Sequence, residues 1–287
     1  MKNLNNRRDF LKKMGTIAGL TQLPLMGWAE GFSALLSEGV NPSGEFSLLK
    51  LENLLSGYQY PVAEKFTTDS FSSGYKLYNL YGGNAVFGGE FFLKSEIKGK
   101  NRLVDFSIWR MANSGIKKNQ IPEFKYIVSG KVECKSDVTL TPEKWKVCSR
   151  IATSEDGPAF SNTALLNEGA ARNGEVINKI SGRQIKKSFG SMPLSWKWGL
   201  VAVVQNMSES SVNELQFATL DEFDAIHENQ KIRLLKNVKI DCGKDLLIDF
   251  KVFELSGDGV LPTVYWVDNK NRTLFVISGM EAFVLKA

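Results

Sequence analysis

The densest group of side chains that could do chemistry is Asp221, Glu222 and Asp224, with a second pair, Glu155 and Asp156, further upstream. Carboxylates can supply the acid and the base or nucleophile of glycoside hydrolysis when they face one another at roughly 5 to 10 Å. A strand end followed by polar residues equally predicts a solvated turn, and sequence alone gives no distance between remote carboxylates. The cluster is therefore one candidate site, with a solvated turn as the competing interpretation.

His227 is the single histidine of the chain, which removes several classes of site. Zinc sites with three histidines, His-Glu-x-x-His proteases and haem sites with two histidines are excluded. A serine hydrolase would need His227 as its base, and no Gly-x-Ser-x-Gly motif accompanies it. Residues 226–229 predict a turn between strands with His227 exposed. The glycine pairs at 82–83 and 88–89 match neither dinucleotide nor P-loop spacing. Together with the zinc and haem sites that a single histidine excludes, this leads us to expect no cofactor and no metal.

Tryptophans offer a different chemistry, since an indole can stack on a sugar or line a site for an apolar chain. Trp196 and Trp198 stand close together beside Leu194, and Trp145 and Trp266 fall in segments with the pattern of strands. We take these four tryptophans as candidate residues of a ligand cavity. The competing interpretation is core packing, because tryptophan buries a large area and is favoured in strands.

The elements that must position these residues show apolar side chains at every second position. In residues 131–140, Val132, Cys134, Val138 and Leu140 share one side, and mostly charged residues fill the other. A short turn follows, and such a turn can join only antiparallel strands. The sequence predicts a mainly β fold, a strongly curved antiparallel sheet or half-barrel with one wet face. Further predicted strands cover residues 75–81, 90–98, 104–108, 175–187, 215–220, 231–240, 246–255, 263–267 and 273–277, and residues 283–285 predict an edge strand.

Two segments lack this two-residue alternation of apolar side chains. Residues 153–173 are small and polar, which predicts a long loop. Residues 194–207 follow Pro193 and carry apolar side chains at helical spacing, which predicts one of one or two short helices that cover the sheet. Gly199 is unfavourable within a helix, and without that helix residues 200–204 have the pattern of a buried strand.

Length and charge bound the class of protein. The chain has 287 residues, 43% hydrophobic and 23% charged, which suits one large β domain or two small ones. Its formal net charge is +5, and residues 1–29 hold five cations against one acid. The remainder is nearly neutral, so no concentrated basic surface indicates a nucleic-acid partner.

Three cysteines, Cys134, Cys148 and Cys242, leave at least one thiol unpaired within a single chain. Cys134 alternates with apolar residues, whereas Cys148 alternates with Lys144 and Lys146. Side chains on opposite faces of a sheet cannot bridge without a bulge. We therefore expect separate thiols, with a Cys134–Cys148 disulfide as the alternative.

Two adjacent arginines, Arg7 and Arg8, precede Phe10, Leu11 and two lysines near the start of the chain. This pattern resembles a twin-arginine (Tat) export signal, an address that carries folded proteins across a bacterial inner membrane. The run 14–26 is too short and too weakly apolar for a stable membrane span. The resemblance implies a bacterial protein that is handled by the Tat export machinery and is periplasmic or secreted.

We divide the chain into a signal peptide (1–29), a tether (30–44) and a single antiparallel β domain (45–287). Near its end, residues 261–268 (LPTVYWVD) and 272–279 (RTLFVISG) resemble the terminal hairpin of uncharacterised exported β-proteins. These proteins are similar to the lipoprotein-carrier proteins of the periplasm, which fold a curved antiparallel sheet into a half-barrel around a hydrophobic cavity, with helices as a lid. The resemblance implies a fold and assigns no binding residue.

Three classes of function remain open. The first is a non-catalytic envelope protein that binds an apolar or amphipathic ligand, such as a lipid, in a cavity lined by the sheet. The second is a structural or accessory envelope protein with a protein partner, which would expose an apolar surface. The third is a carboxylate-based carbohydrate-active enzyme, which needs two acids facing one another in a cleft. The sequence favours a binding protein over an enzyme.

Overall fold

Alternation of buried and exposed side chains dictates the architecture, and the strand Asn101–Met111 displays it clearly. In this strand Val104, Phe106 and Ile108 are buried, while the residues between them are partly exposed. A computed structural model describes residues 58–61, 70–81, 84–111, 124–153, 164–241 and 247–286. The statements below concern these residues, which belong to the unit Ser47–Ala287.

The described residues form fifteen strands and one α-helix. A 3-10 turn, Lys197–Gly199, leads into the helix. In chain order the elements are β1 (Ser70–Tyr81), β2 (Asn84–Lys98), β3 (Asn101–Met111), β4 (Phe124–Lys135), β5 (Pro142–Thr153), β6 (Leu165–Arg172), β7 (Glu175–Ile180), β8 (Arg183–Ser188), β9 (Leu194–Trp196), α1 (Leu200–Glu209), β10 (Glu214–Asp221), β11 (Ala225–Asp241), β12 (Leu247–Ser256), β13 (Thr263–Asp268), β14 (Thr273–Ser278) and β15 (Glu281–Leu285).

All fifteen strands join one sheet in the order β8-β7-β6-β5-β4-β3-β2-β1-β15-β14-β13-β12-β11-β10-β9. Neighbouring strands are antiparallel except β9 and β10, which are parallel. The predicted fold class is confirmed, because the described residues form a large, curved, mainly antiparallel sheet with one short helix.

The sheet curls until its two halves meet around the turn between β10 and β11. At the tip of this turn Phe223 adopts a positive φ of 61° and is buried. Its ring centre lies 5.5 Å from those of Trp145 in β5 and Trp196 in β9. Its carbonyl oxygen accepts hydrogen bonds from Asn167 Nδ2 at 2.9 Å and Asn178 Nδ2 at 2.6 Å. Side-chain contacts therefore close the curl at this point.

Helix α1 packs against β13 and β14 within the curl. All of its residues from Leu200 to Ser208 are buried. Its last turn is fixed by Ser208, whose Oγ bonds Asn271 Oδ1 at 2.8 Å and whose carbonyl oxygen accepts from Lys251 Nζ at 2.8 Å. Across the described part of the chain, helices fall short of the length and apolar character that a membrane span requires.

The helix predicted over residues 194–207 begins only at Leu200, so the prediction is wrong for the first part of that segment. Leu194 and its two successors instead pair with residues 218–220 of β10 as the short strand β9. Gly199 marks a close contact, because a Cβ atom there would lie 2.5 Å from the ring of Trp196. The segment thus passes from strand to helix at a residue without a side chain.

The loop predicted over residues 153–173 contains strand β6, so that prediction is wrong for residues 165–172, while residues 154–163 lie outside the described residues. The small and polar residues of β6 admit the ring of Trp145. Asn167 Oδ1 accepts a hydrogen bond from Trp145 Nε1 at 3.3 Å, and a Cβ atom on Gly169 would lie 2.5 Å from the same ring. A strand that must accommodate an indole can therefore have the composition of a loop.

Two smaller corrections concern connectivity. The single strand predicted over residues 175–187 is the hairpin β7–β8, since Ser181 and Gly182 turn the chain with φ of 47° and 85°. The edge strand predicted over residues 283–285 is β15, which lies inside the sheet between β1 and β14. The hairpin predicted near the C-terminus is confirmed as β13–β14.

Candidate functional site

A cleft of about 350 Å³ opens at one end of the curled sheet. Its walls come from the 3-10 turn, α1, and strands on both sides of β15. This volume falls in the range of small-molecule sites in proteins, roughly 300 to 1,000 Å³. The wall is mainly apolar and includes Phe91, Trp198, Leu200, Leu255, Val276 and Phe283.

The ammonium group of Lys197 lies at the mouth of the cleft. Its Nζ lies 2.8 Å from Asp221 Oδ1 and 3.2 Å from Glu222 Oε1. His227 Nε2 lies 3.5 Å from the other oxygen of Asp221. His227 belongs to β11 and pairs across the ladder with Thr219 of β10. Asp221 therefore stands between a lysine and the single histidine of the chain.

Opposing effects act on the pKa of Lys197. Burial by itself would lower the pKa, because an ammonium group loses hydration away from water. The hydrogen bond to Asp221 and the negative charges of Glu222 and Asp221 outweigh burial, so the pKa of Lys197 is raised above its ordinary value. The lysine consequently remains charged at neutral pH, and its ion pair persists.

A second ion pair, between Arg110 of β3 and Glu281 at the start of β15, also lines the cleft. Arg110 Nη1 lies 2.9 Å from Glu281 Oε1. Arg110 Cζ and Lys197 Nζ lie 5.5 Å and 5.2 Å from the ring centre of Trp198. Trp198 thus contacts two cations where the apolar wall meets the polar mouth.

Two uncharged polar atoms in the wall have no hydrogen-bond partner within the described residues, namely Nε1 of Trp198 and Oγ1 of Thr219. Their side chains are 6% and 4% exposed. A buried polar group without a partner costs about 1 to 3 kcal/mol. A small shift of either side chain toward a bound acceptor would remove that cost.

The structure gives the candidate carboxylates different positions. Asp221 lines the cleft, whereas Glu222 and Asp224 are exposed in the turn, as the solvated-turn interpretation predicts. Glu155 and Asp156 lie outside the described residues. Of the predicted acids, Asp221 alone among those described is brought to the cleft.

The exposed turn predicted for His227 is wrong. The turn ends earlier, because Glu222 and Phe223 both adopt positive φ, and β11 already begins at Ala225. The His227 side chain is 26% exposed and lines the cleft. Residues 221–229 therefore form a tight turn followed by a strand, although their polar composition predicts a longer turn.

Sequence reasoning did not find Arg110, Lys197, Thr219 or Glu281 as residues of the cleft. A signal existed for Lys197, since a charge between two tryptophans is unusual in a buried segment. The alternation of buried and exposed side chains assigns Arg110, Thr219 and Glu281 each to a face of the sheet. It does not indicate at which end of the sheet a cleft opens. Their roles depend on contacts between remote strands.

The four candidate tryptophans occupy three environments. Trp198 lines the cleft. Trp145 and Trp196 pack in the aromatic cluster around the β10–β11 turn. Trp266 packs against Phe250, with ring centres 5.6 Å apart, on the face of β13 opposite to the cleft. One of the four is therefore in contact with the cleft volume.

Cys134 is buried and Cys148 is half-buried, and both are free thiols. The expectation of separate thiols is confirmed for this pair, while Cys242 lies outside the described residues. Burial raises the pKa of the Cys134 thiol. In the parts of the chain that the structure describes, no cluster of three or more His, Cys, Asp or Glu side chains has the arrangement of a metal site.

Comparison with known proteins gives one similar solved structure. It is the crystal structure of a β-barrel-like protein of the domain of unknown function DUF1849 from Brucella abortus. The two chains share 8% sequence identity, with a TM-score of 0.49, over 78% of this chain and 97% of the other. No family model matches this chain, and neither does any curated protein.

Proposed function

We propose that this protein binds an apolar or amphipathic ligand, without catalysis, in the cleft beside α1. The observation that supports this function most directly is the cleft itself, a hollow of about 350 Å³ with mainly apolar walls inside a curved sheet. Binding sites for small molecules are typically of this kind, apolar with a few polar groups that orient the ligand.

The distribution of polarity in the cleft favours an amphipathic ligand. The apolar part would lie against side chains such as Phe91, Val276 and Phe283. The polar part would lie at the mouth, near the Arg110–Glu281 and Lys197–Asp221 pairs. Both signs of charge are present there, so an uncharged or dipolar head group suits the mouth better than a single net charge.

The same ion pairs argue against the carbohydrate enzyme. Asp221 and Glu281 both line the cleft, and each has a cation within 3 Å, at 2.8 Å and 2.9 Å. A hydrolase of this kind needs one carboxyl group that carries a proton and a second that faces the sugar. Each of these carboxylates would have to release its lysine or arginine before it could take either role.

Export by the Tat machinery to the periplasm or the exterior remains part of this proposal. The residues that support it, Arg7, Arg8, Phe10 and Leu11, lie outside the described residues, as do the whole of the proposed signal peptide and the tether. Replacing both arginines (Arg7→Lys with Arg8→Lys) is expected to retain the protein in the cytoplasm. Cell fractionation tests this, and unchanged export of the double variant would show that another signal is used.

The binding function is tested on the protein purified from the exported fraction. Native mass spectrometry is expected to detect a co-purified apolar molecule. The neutral fluorescent probe N-phenyl-1-naphthylamine is expected to bind and to quench tryptophan emission, because Trp198 lines the cleft. Val260 lines the cleft from a loop, so Val260→Trp should fill the volume and abolish probe binding.

The matched control is Ile177→Trp, an equally bulky substitution at a position that is 40% exposed in β7 and does not line the cleft. This variant is expected to bind the probe like the wild type. A clean mass together with probe binding that is insensitive to Val260→Trp would overturn the proposed site.

A further inference from the structure

Exposed apolar side chains gather at the end of the sheet where the cleft opens. We define the apolar rim as Val86, Tyr126, Ile151, Leu261 and Met280, whose exposed fractions are 44%, 40%, 52%, 67% and 50%. Leu261 and Met280 also line the cleft. Single exposed apolar residues need no explanation, but a group of them around an opening indicates an interaction surface.

Strand register places the members of the apolar rim side by side. Arg110 of β3 pairs with Tyr126 of β4, which pairs with Ile151 of β5. On the other side of the mouth, Glu281 of β15 is separated from Val86 of β2 by a single residue of β1. The Arg110–Glu281 ion pair joins these two rows. The rim is therefore continuous with the mouth of the cleft.

Met280 and Leu261 continue the rim on the side of β13 and β14. The carbonyl oxygen of Met280 accepts a hydrogen bond from the backbone N–H of Leu80 at 2.8 Å, which fixes the β14–β15 turn to the end of β1. Gly279 in this turn approaches Leu261, since a Cβ atom on Gly279 would lie 3.2 Å from Leu261 Cδ1. Leu261, the most exposed member of the rim, thus stands next to the turn that carries Met280 at the opening.

The charges next to the apolar rim limit the kinds of partner that could bind it. The charged residues at the mouth are paired within the protein, Arg110 with Glu281 and Lys197 with Asp221. Among the described residues of the mouth, these pairs leave no strong excess of either sign to select a charged partner. Strands β2, β4 and β5 all lie inside the sheet, and Tyr126 is paired on both sides, with Arg110 and with Ile151, so the rim is not an edge strand that would accept an extended peptide.

The convex face at the same end carries side chains that favour a water–lipid boundary. Phe87 of β2 is 37% exposed and packs edge-on against Trp109 of β3, with ring centres 5.7 Å apart. Lys125 Nζ lies 5.0 Å from the centre of the Trp109 ring. Indole rings and long-stemmed lysines place an apolar body in lipid and a polar tip in water.

We propose that the apolar rim docks on the surface of a lipid bilayer with the opening of the cleft facing it. An amphipathic ligand would then pass between bilayer and cleft without crossing water. This inference rests on the proposed binding function and adds the surface at which the ligand is exchanged. Because the neighbouring charges are paired, insertion of the rim dominates over attraction to head groups, and binding depends little on salt.

The test uses flotation of the ligand-free protein with vesicles of zwitterionic phosphatidylcholine. The wild type is expected to float with the vesicles at low and at high salt. The rim variant carries Tyr126→Thr and Ile151→Thr, two positions outside the cleft lining, and threonine preserves strand propensity. Its partition to vesicles is expected to fall about tenfold or more, because two large apolar contacts are lost.

The matched control carries Ile97→Thr and Leu247→Thr, which remove side chains of 44% and 60% exposure at the opposite end of the sheet. It is expected to float like the wild type. Equal losses in the two double variants, absence of wild-type flotation, or capture of a protein partner without flotation would each overturn bilayer docking.

Probe binding separates this inference from the function on which it rests. The rim variant should bind N-phenyl-1-naphthylamine as the wild type does, since neither position lines the cleft. A wild type that binds the probe and ignores vesicles would refute docking and leave ligand binding intact. A wild type that floats with vesicles and ignores the probe would refute ligand binding in the cleft.

Discussion

Arg272 Nη2 lies 2.8 Å from Asp268 Oδ2 in an ion pair whose side chains are only 6% and 0% exposed. The pair sits at the turn between β13 and β14. The same carboxylate accepts hydrogen bonds from Tyr60 OH and from the backbone N–H groups of Lys270 and Arg272. Arg272 Nη1 also donates to the carbonyl oxygen of Pro61, so this turn holds residues 58–61 against the sheet.

Removing the arginine should be costly. Arg272→Met leaves the buried Asp268 carboxylate without its cation, which typically costs about 3 to 5 kcal/mol of the free energy of unfolding. Urea denaturation measures this loss. The control is Lys239→Met, which breaks the exposed Lys239–Asp249 pair and should change the free energy of unfolding by less than about 1 kcal/mol. Similar small losses in both variants would show that the Asp268 charge is not isolated from water.

The Tyr60 phenol is expected to titrate late. Burial, followed by its hydrogen bond to Asp268 and the charge of that residue, raises the pKa of Tyr60 to about 12. The native state therefore holds this proton more tightly than the unfolded chain does. The corresponding stability is complete below pH of about 10, where both states are protonated, and is lost as the pH rises from about 10 to 12.

Phenolate absorbance measures this titration as the difference between the wild type and Tyr60→Phe. The difference spectrum should develop with a midpoint near the raised pKa. A midpoint at the ordinary tyrosine value of about 10 would mean that the Tyr60–Asp268 contact does not persist in solution.

Phe223 should be among the most sensitive positions of the core. Phe223→Ala removes a ring that packs between Phe106, Trp145 and Trp196, and large-to-small changes of this kind cost about 3 to 5 kcal/mol. The control is Phe92→Ala, since that ring is 41% exposed on the outer face and its loss should cost about 1 kcal/mol or less. Chemical denaturation compares the two variants, and equal midpoints would contradict a closing role for Phe223.

The two described thiols should differ in reactivity. In a Cys242→Ser background, we expect Cys148 to react with Ellman's reagent in the native state. Cys134 should react only after unfolding, because its side chain is fully buried and burial raises the pKa of its thiol. The released thiolate absorbance counts the two classes. Two fast thiols in the native protein would show that the β4–β5 region opens readily.

The parts of the fold that sequence reasoning predicted are those whose causes are local. The β13–β14 hairpin is an example, because the Asp268 carboxylate accepts hydrogen bonds from backbone N–H groups two and four residues further on. Alternation likewise identified the buried side of β4 over residues 131–135, including Cys134, whereas the predicted continuation of this strand over residues 136–140 is wrong, because these residues form the turn to β5. Such signals lie within one turn or one strand.

The parts that were missed depend on contacts between remote segments. Arg110 and Glu281 are 171 residues apart, so neither residue carries a local sign that it closes the mouth of a cleft. The sequence predicts a loop where β6 lies, because Asn167 and Gly169 are typical loop residues. Their types are instead explained by the Trp145 ring of the neighbouring strand, which Asn167 hydrogen-bonds and Gly169 accommodates. The helix boundary was misplaced for a similar reason, since β9 exists only through its pairing with β10.

The contact that closes the curled sheet at Phe223 differs in kind from the contacts between neighbouring strands. Neighbouring strands are held by successive backbone hydrogen bonds, whereas the β10–β11 turn is held to β6 and β7 by two amide groups and a stack of rings. Parting the halves here breaks far fewer bonds than parting any long pair of strands. Opening along this line would leave every ladder whole, so we expect the hollow to widen here first, which for the ligand binding proposed above would allow molecules of different size to enter without unfolding.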